Sequence, residues 1–206
     1  MSDKLVATVD LLPTILEAVG AERPAGLAGR SMVPLLGGQK PRWREYVFAE
    51  FHSPSPQLYF PQRTIRDARF KLIVNLLQDR ANPQPSHPLL RRLPAHVTRS
   101  EVAASNDEVR QAYATWEDAP PVELYDLEDD PYEFKNLAGQ PAYAEIEKRL
   151  VAQLESWRKR TGDPLSVPAK LARLTQEQDE QAEKHKKGKS RSQSDPWRYH
   201  EYLYGK

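Results

Sequence analysis

The residues able to do chemistry are few and widely spaced. His52 closes an aromatic run and opens the Pro-rich stretch His52-Ser53-Pro54-Ser55-Pro56, a place from which side chains line clefts. A surface or capping histidine is the plain alternative. Arg63 and Arg66 stand beside Asp67, and a guanidinium matches the oxygens of sulfate or phosphate. For Arg66 and Asp67 the expectation is a structural ion pair across a hairpin. Asp129-Asp130 looks like part of a metal site, yet acids that precede a proline commonly shape turns. The five histidines show no His-x-x-x-His spacing, and the absence of cysteine excludes disulfides, thiolate zinc sites and a Cys nucleophile. No catalytic residue and no metal ligand can be assigned from these patterns.

The elements that position these residues follow from periodicity. Leu12, Ile15, Leu16 and Val19 recur at the spacing of one helical face over Asp10–Val19, with Thr8 or Asp10 as cap, Pro13 in the first turn and Gly20 at the end. Residues 20–44 hold five glycines and read as an irregular connection with a short turn at Val33–Leu36. Strands are expected at Tyr46–Phe51, Arg63–Asp67 and Phe70–Asn75, the last two joined at Asp67-Ala68-Arg69, and at Val122–Leu127. A helix is expected over Ser105–Trp116, capped by Ser105 or Asn106. The clearest pattern is Tyr143, Ile146, Leu150, Leu154 and Trp157, an amphipathic helix from Pro141 to about Arg160 that Gly162 ends.

Composition narrows the function. The 206 residues carry 30 Lys+Arg against 29 Asp+Glu, so no net field marks a nucleic-acid binder. No apolar run is long enough to span a membrane, and no secretory signal is readable at Met1–Ala7. Lys184–Arg191 holds five cations and no acid, the pattern of a solvated tail or of a contact with an anionic polymer.

Three stretches together resemble the C-terminal portion of the sulfatase family, within the alkaline-phosphatase-like superfamily. They are Val9–Gly20 followed by Gly29-Arg30-Ser31-Met32-Val33-Pro34-Leu35-Leu36, then Arg63–Ile73, then Glu123–Ala138 with its Glu-Leu-Tyr-Asp-Leu-Glu-Asp-Asp-Pro opening. Tyr59-Phe60-Pro61-Gln62-Arg63 and the ending Trp157-Arg158-Lys159-Arg160-Thr161-Gly162-Asp163-Pro164 look most like heparan N-sulfatases (sulfamidases). The resemblance implies an α+β subdomain: a small antiparallel sheet of about four strands covered by the 141–160 helix. It implies that the N-terminal α/β catalytic domain lies outside this chain, with the calcium and the formylglycine that the full-length family uses. No cofactor is then bound by this chain. Ser194-Asp195-Pro196-Trp197-Arg198 spells the family's serine nucleophile pattern, but at the wrong end of the chain.

The expected organisation is a handover helix and connection at 1–44, the sulfatase C-terminal subdomain at 45–165, and a charged, partly disordered tail at 166–206 with some helix from 169 to 184. The resemblance implies hydrolysis of sulfate esters or N-sulfate groups of sulfated sugars by the full-length protein, and a periplasmic or secreted setting. His52, Tyr59 and Arg63 are the expected substrate-proximal residues, and a sulfated carbohydrate is the expected partner, with neither nucleic acid nor membrane. Two other readings compete: a stand-alone module that binds sulfated polysaccharide, and a fragment of a phosphodiester or phosphonate hydrolase. A subdomain built to pack on a larger partner would expose apolar surface and self-associate when alone.

Overall fold

The computed structural model describes residues 3–52, 55–85, 87, 97–187 and 203. Its centre is a four-stranded antiparallel sheet in the order β1 (Val47–Phe51), β2 (Gln62–Arg66), β3 (Phe70–Asn75), β4 (Val122–Asp126). The register lines up Phe48, Ile65, Leu72 and Leu124 as one cross-strand row. Alternation along the strands puts that row on one face, and there it meets Leu150 and Leu154 of a long helix, α5 (Ala144–Thr161). All but the half-buried Phe48 are buried, and Trp157 of α5 stacks on Phe48 at 5.1 Å between ring centres. The sheet covered by one helix is thus the expected α+β architecture.

The ends of α5 follow the sequence signals. Pro141 opens a 3-10 turn ahead of it, Glu145 and Glu147 lie in its first turn, and Arg158, Lys159 and Arg160 in its last, as the helix dipole favours. Gly162 adopts φ 67°, and its N–H closes on the Arg158 and Lys159 carbonyls. That left-handed residue turns the chain back toward the sheet.

The connection from β3 to β4 carries two helices. Asn106 caps α4 (Asp107–Glu117) by accepting from the Val109 N–H, in line with the expected cap. A shorter helix, α3 (Arg99–Ala104), was not anticipated; Thr98 and Glu101 form its capping box.

The N-terminal segment corrects one expectation. Asp10 does not cap α1 (Leu11–Ala18). Its fully buried carboxylate instead accepts from the Ala7 and Arg30 N–H groups at 2.8 Å and from both Arg44 Nη atoms at 2.5 and 2.6 Å. Two distant stretches, at Arg30 and Arg44, are tied to one charge, so the irregular 20–44 connection, with α2 (Val33–Leu36) in it, has a fixed course. The stripe Leu12, Ile15 and Val19 faces solvent here, joined by Val9 and Leu11, so the apolar face that the periodicity marks has no cover among the described residues.

The helix expected over 169–184 is present and slightly longer. This helix, α6, runs from Pro168 to Lys186 and lays Leu174 into a second apolar cluster with Tyr59, Phe60, Leu77, Leu165 and Leu203. The rest of the aromatic end at Trp197–Tyr204, the Ser194–Arg198 string and the end of the basic run at 188–191 lie outside the described residues.

Gly29 passes so close to the Asp10 knot that a Cβ there would sit 1.9 Å from the Val9 carbonyl oxygen. Gly29→Ala is therefore expected to cost on the order of 2 kcal/mol through forced backbone movement. Gly26→Ala, in open space but at φ 85°, should cost about half that. Urea unfolding of both variants measures the difference, and equal costs would show that the close approach carries no strain.

Candidate functional site

Arg63 belongs to β2, and alternation turns it to the α5 side of the sheet, where an aliphatic residue would be expected. It is fully buried. The reason is Asp163, which the left-handed Gly162 delivers to the same place: Arg63 Nε and Nη2 donate to its two carboxylate oxygens at 2.9 and 2.7 Å. Arg158, from the last turn of α5, donates through Nε to the same Asp163 carboxylate at 2.7 Å and reaches Glu155 at 2.9 Å. Arg63 Nη1 donates to the Gln62 carbonyl, and Glu50 stands 3.5 Å from Nη2 at the rim. Burial by itself raises the Asp163 carboxyl, but the hydrogen bonds from Arg63 and Arg158 outweigh it and hold it down at about 2.

His52 lies just past the end of β1, next to this cluster. Its carbonyl accepts the Phe60 N–H at 3.0 Å, which pins one point of the loop between β1 and β2. Its imidazole Nε2 is buried, and among the described residues nothing hydrogen-bonds to it. Burial lowers the His52 pKa, the Arg63 charge lowers it further, and Glu50 and Asp163 act the other way. The net effect is a neutral imidazole with an unused polar atom, beside a buried guanidinium.

The three residues expected near substrate therefore occupy different settings. His52 and Arg63 come together. Tyr59 points elsewhere: it is buried in the second apolar cluster, and its hydroxyl stands 3.3 Å from Thr175 Oγ1 on α6. The sequence reading missed Asp163 and Arg158 as partners of Arg63. The available signal was Gly-Asp-Pro directly after a helix end, since a left-handed glycine reverses the chain and Asp163 also caps the following turn through the Leu165 N–H.

Two other expectations are corrected or resolved by geometry. Asp67 does not pair with Arg66, whose Nε donates to the Asp67 carbonyl instead. The Asp67 carboxylate pairs with Arg149 of α5 at 2.7 Å and accepts the Arg69 and Phe70 N–H groups, because the turn needs its acceptor there. Asp129 stands 3.3 Å from Arg69, and Asp130 accepts the Lys135 N–H, so both are used by the turn. Among the described residues no three His, Asp or Glu side chains are grouped so as to hold a metal ion.

On the opposite face of the sheet a second polar chain is buried. Gln62 donates to Asn75, and Asn75 Nδ2 donates to the Pro120 carbonyl at 2.6 Å and to Glu123 at 2.7 Å. The Tyr125 hydroxyl donates to the other Glu123 oxygen, and burial, then the Glu123 charge, push that phenol up.

Comparison with known proteins places this geometry. Residues 1–82 match the family described as N-sulphoglucosamine sulphohydrolase, C-terminal. An ulvan-active sulfatase of Formosa agariphila is 31% identical over 172 residues, covering 80% of this chain and 31% of that protein. Human N-sulphoglucosamine sulphohydrolase is 29% identical over 179 residues, covering 80% of this chain and 34% of its own length. Among solved structures, a 2-O GAG sulfatase superposes with a TM-score of 0.54 at 28% identity, over 79% of this chain and 27% of that one. The chain thus spans about a third of the length of the curated relatives it matches.

The Asp163 cluster predicts an acid-sensitive fold. A carboxyl held at about 2 contributes stability that is complete above the ordinary carboxylate value near 4 and is lost as pH falls from about 4 toward 2. Chemical denaturation across that window should show the loss, and Asp163→Asn should flatten this part of the dependence. A variant that keeps the full slope would assign the acid sensitivity to other groups.

Proposed function

Because the chain is the C-terminal portion of a sulfatase of the alkaline-phosphatase-like superfamily, we propose that it forms one wall of the cleft in which the whole enzyme hydrolyses sulfate esters or N-sulfate groups of sulfated sugars. The formylglycine nucleophile and the calcium ion of such an enzyme would come from outside these residues, since the chain has no cysteine to convert. The described residues also offer no cluster fit for a metal. No step of the reaction is routed through this chain. Its part is to shape and bind.

One observation carries the reading: the buried Nε2 of His52 has no hydrogen-bond partner among the described residues, beside the charge cluster of Arg63 and Asp163. A buried polar atom left unpaired costs free energy that a bound ligand recovers. A neutral imidazole offers one donor and one acceptor, which suits a sugar hydroxyl or a sulfamate N–H. Arg63 acts behind it. With Asp163 engaged on two of its nitrogens, the guanidinium ties β2 to the end of α5. Tyr59 anchors the far end of the same loop.

The exposed face of α1 fits this picture, since Leu11, Leu12, Ile15 and Val19 would be covered by the remainder of the enzyme. The isolated chain is accordingly expected to bind an environment-sensitive dye and to self-associate; a sharp monomer without dye uptake would count against a missing partner surface.

The decisive experiment begins with the coding DNA upstream of Met1. An in-frame extension encoding Cys- or Ser-x-Pro-x-Arg with Asp and Asn metal ligands is expected, and the enzyme so restored should desulfate a sulfated glucosamine substrate. In it His52→Ala should raise KM roughly tenfold with kcat held, the signature of lost ground-state binding. A stop codon directly upstream, or an unchanged KM, would overturn the reading.

A further inference from the structure

We propose that α6 is a strap that positions the His52 loop, and so tunes how the enzyme binds its sulfated sugar without touching it. The idea rests on the reading of His52 given above.

The observations come from both ends of the loop. Tyr59 and Phe60, three and two residues ahead of β2, are buried in the cluster that Leu174 of α6, Leu165 and Leu203 complete, with Leu171 packed against it. The Tyr59 hydroxyl meets Thr175 of α6. Asp179, one turn further along α6, pairs with Arg80 at 2.7 Å, beyond the end of β3. Lys170 donates to the Leu203 carbonyl at 2.9 Å, which sets Leu203 beside the start of α6.

The loop side is equally committed. Phe60 donates its N–H to the His52 carbonyl, Leu58 to Ser55, and Leu76 to Pro61. Any shift of Phe60 is therefore passed to the backbone of His52 through one hydrogen bond. Neither the strands nor α5 supply the cluster around Tyr59 and Phe60; Leu76, Leu77 and Ala119 of the β3–β4 connection line one part of it, and Leu165, Leu171, Leu174 and Leu203 from the segment after Pro164 cover the rest. This explains why a helix with a largely charged surface spends Leu174 and Gln178 on full burial.

The consequence is a division of labour. Arg63 and Asp163 fix the β2 end of the loop from below, and α6 fixes its apolar belly from the side. Removing the second support leaves the sheet intact but frees His52.

The test uses the full chain and the restored enzyme. Leu174→Asp puts a charge into the second cluster, and Leu174→Met, of similar volume, is the conservative partner. By amide hydrogen exchange on the 206-residue chain, the Leu58 and Phe60 amides should exchange roughly tenfold faster in Leu174→Asp, while Leu150 and Leu154 in α5 keep their rates. The His52 titration, followed by NMR, should move up toward the ordinary value as burial is relieved. In the restored enzyme Leu174→Asp should raise KM severalfold and leave kcat nearly unchanged, and Leu174→Met should restore all three readouts. Unchanged exchange at 58 and 60, uniform acceleration across α5, or a KM unchanged in Leu174→Asp where His52→Ala does raise it, would each overturn the strap. If instead His52→Ala leaves KM unmoved while the exchange and titration effects of Leu174→Asp persist, the substrate role of His52 fails and α6 is left as a support of the loop alone.

Discussion

The structure turns on a buried charge pair. Arg63 lies in the middle of a sheet, on the face that should be apolar, and is tolerated there because Asp163 returns from the end of α5 to meet it with two hydrogen bonds. Taking both charges from water costs several kcal/mol each, so such a pair is weak evidence for stability as such. Its effect is geometric. A bidentate guanidinium–carboxylate contact admits little play, and it locks the end of α5 to the centre of β2. Arg158 adds a second cation to the same carboxylate, which keeps Asp163 ionised even in a dry site. The Gly162 turn, the length of α5 and the register of β2 must all agree for these atoms to meet.

Two apolar clusters grow from that joint. The first, between the sheet and α5, is the subdomain proper, with Ile65, Leu72, Leu124, Leu150 and Leu154 interlocked. The second lies at the sheet end, where Tyr59 and Phe60 are held by Leu165 and α6. Asp163 stands at the border: it ends the first unit and, by capping the turn at Pro164–Ser166, starts the second. His52 is tied to the second cluster through its carbonyl, which accepts the Phe60 N–H.

Much of this was legible in the residues. All four strands, α1, α4 and α5 stand close to where periodicity and caps put them, because short-range rules govern those segments. What escaped was long-range. Asp10 reads as a helix cap, since an acid before an apolar run commonly is one; only the fold reveals Arg44, 34 residues away, as its partner. Arg66 and Asp67 are neighbours in sequence, yet Asp67 serves Arg149 across 82 residues. The Thr98–Glu101 capping box was readable and passed over because a Pro- and Arg-rich run precedes it. The helix of α6 was legible but its docking was hidden by its charge: Leu174, with Leu171 beside it, is enough to seat the helix when the groove it meets is already apolar.

The candidate site was half legible for the same reason. Residue type pointed to Arg63 as a sulfate receptor, and a guanidinium has five N–H donors in which to hold one. Three of them are committed, two to Asp163 and one to the Gln62 carbonyl, before any ligand arrives. For a sulfate to take Asp163's place it would have to leave a buried carboxylate with Arg158 alone, and breaking one partner from a buried pair costs about 3–5 kcal/mol. That exceeds what a single new hydrogen bond to a charged group returns, roughly 1.5–3 kcal/mol. On the proposed reading, direct recognition at this wall falls instead to His52, whose buried Nε2 has no hydrogen-bond partner among the described residues.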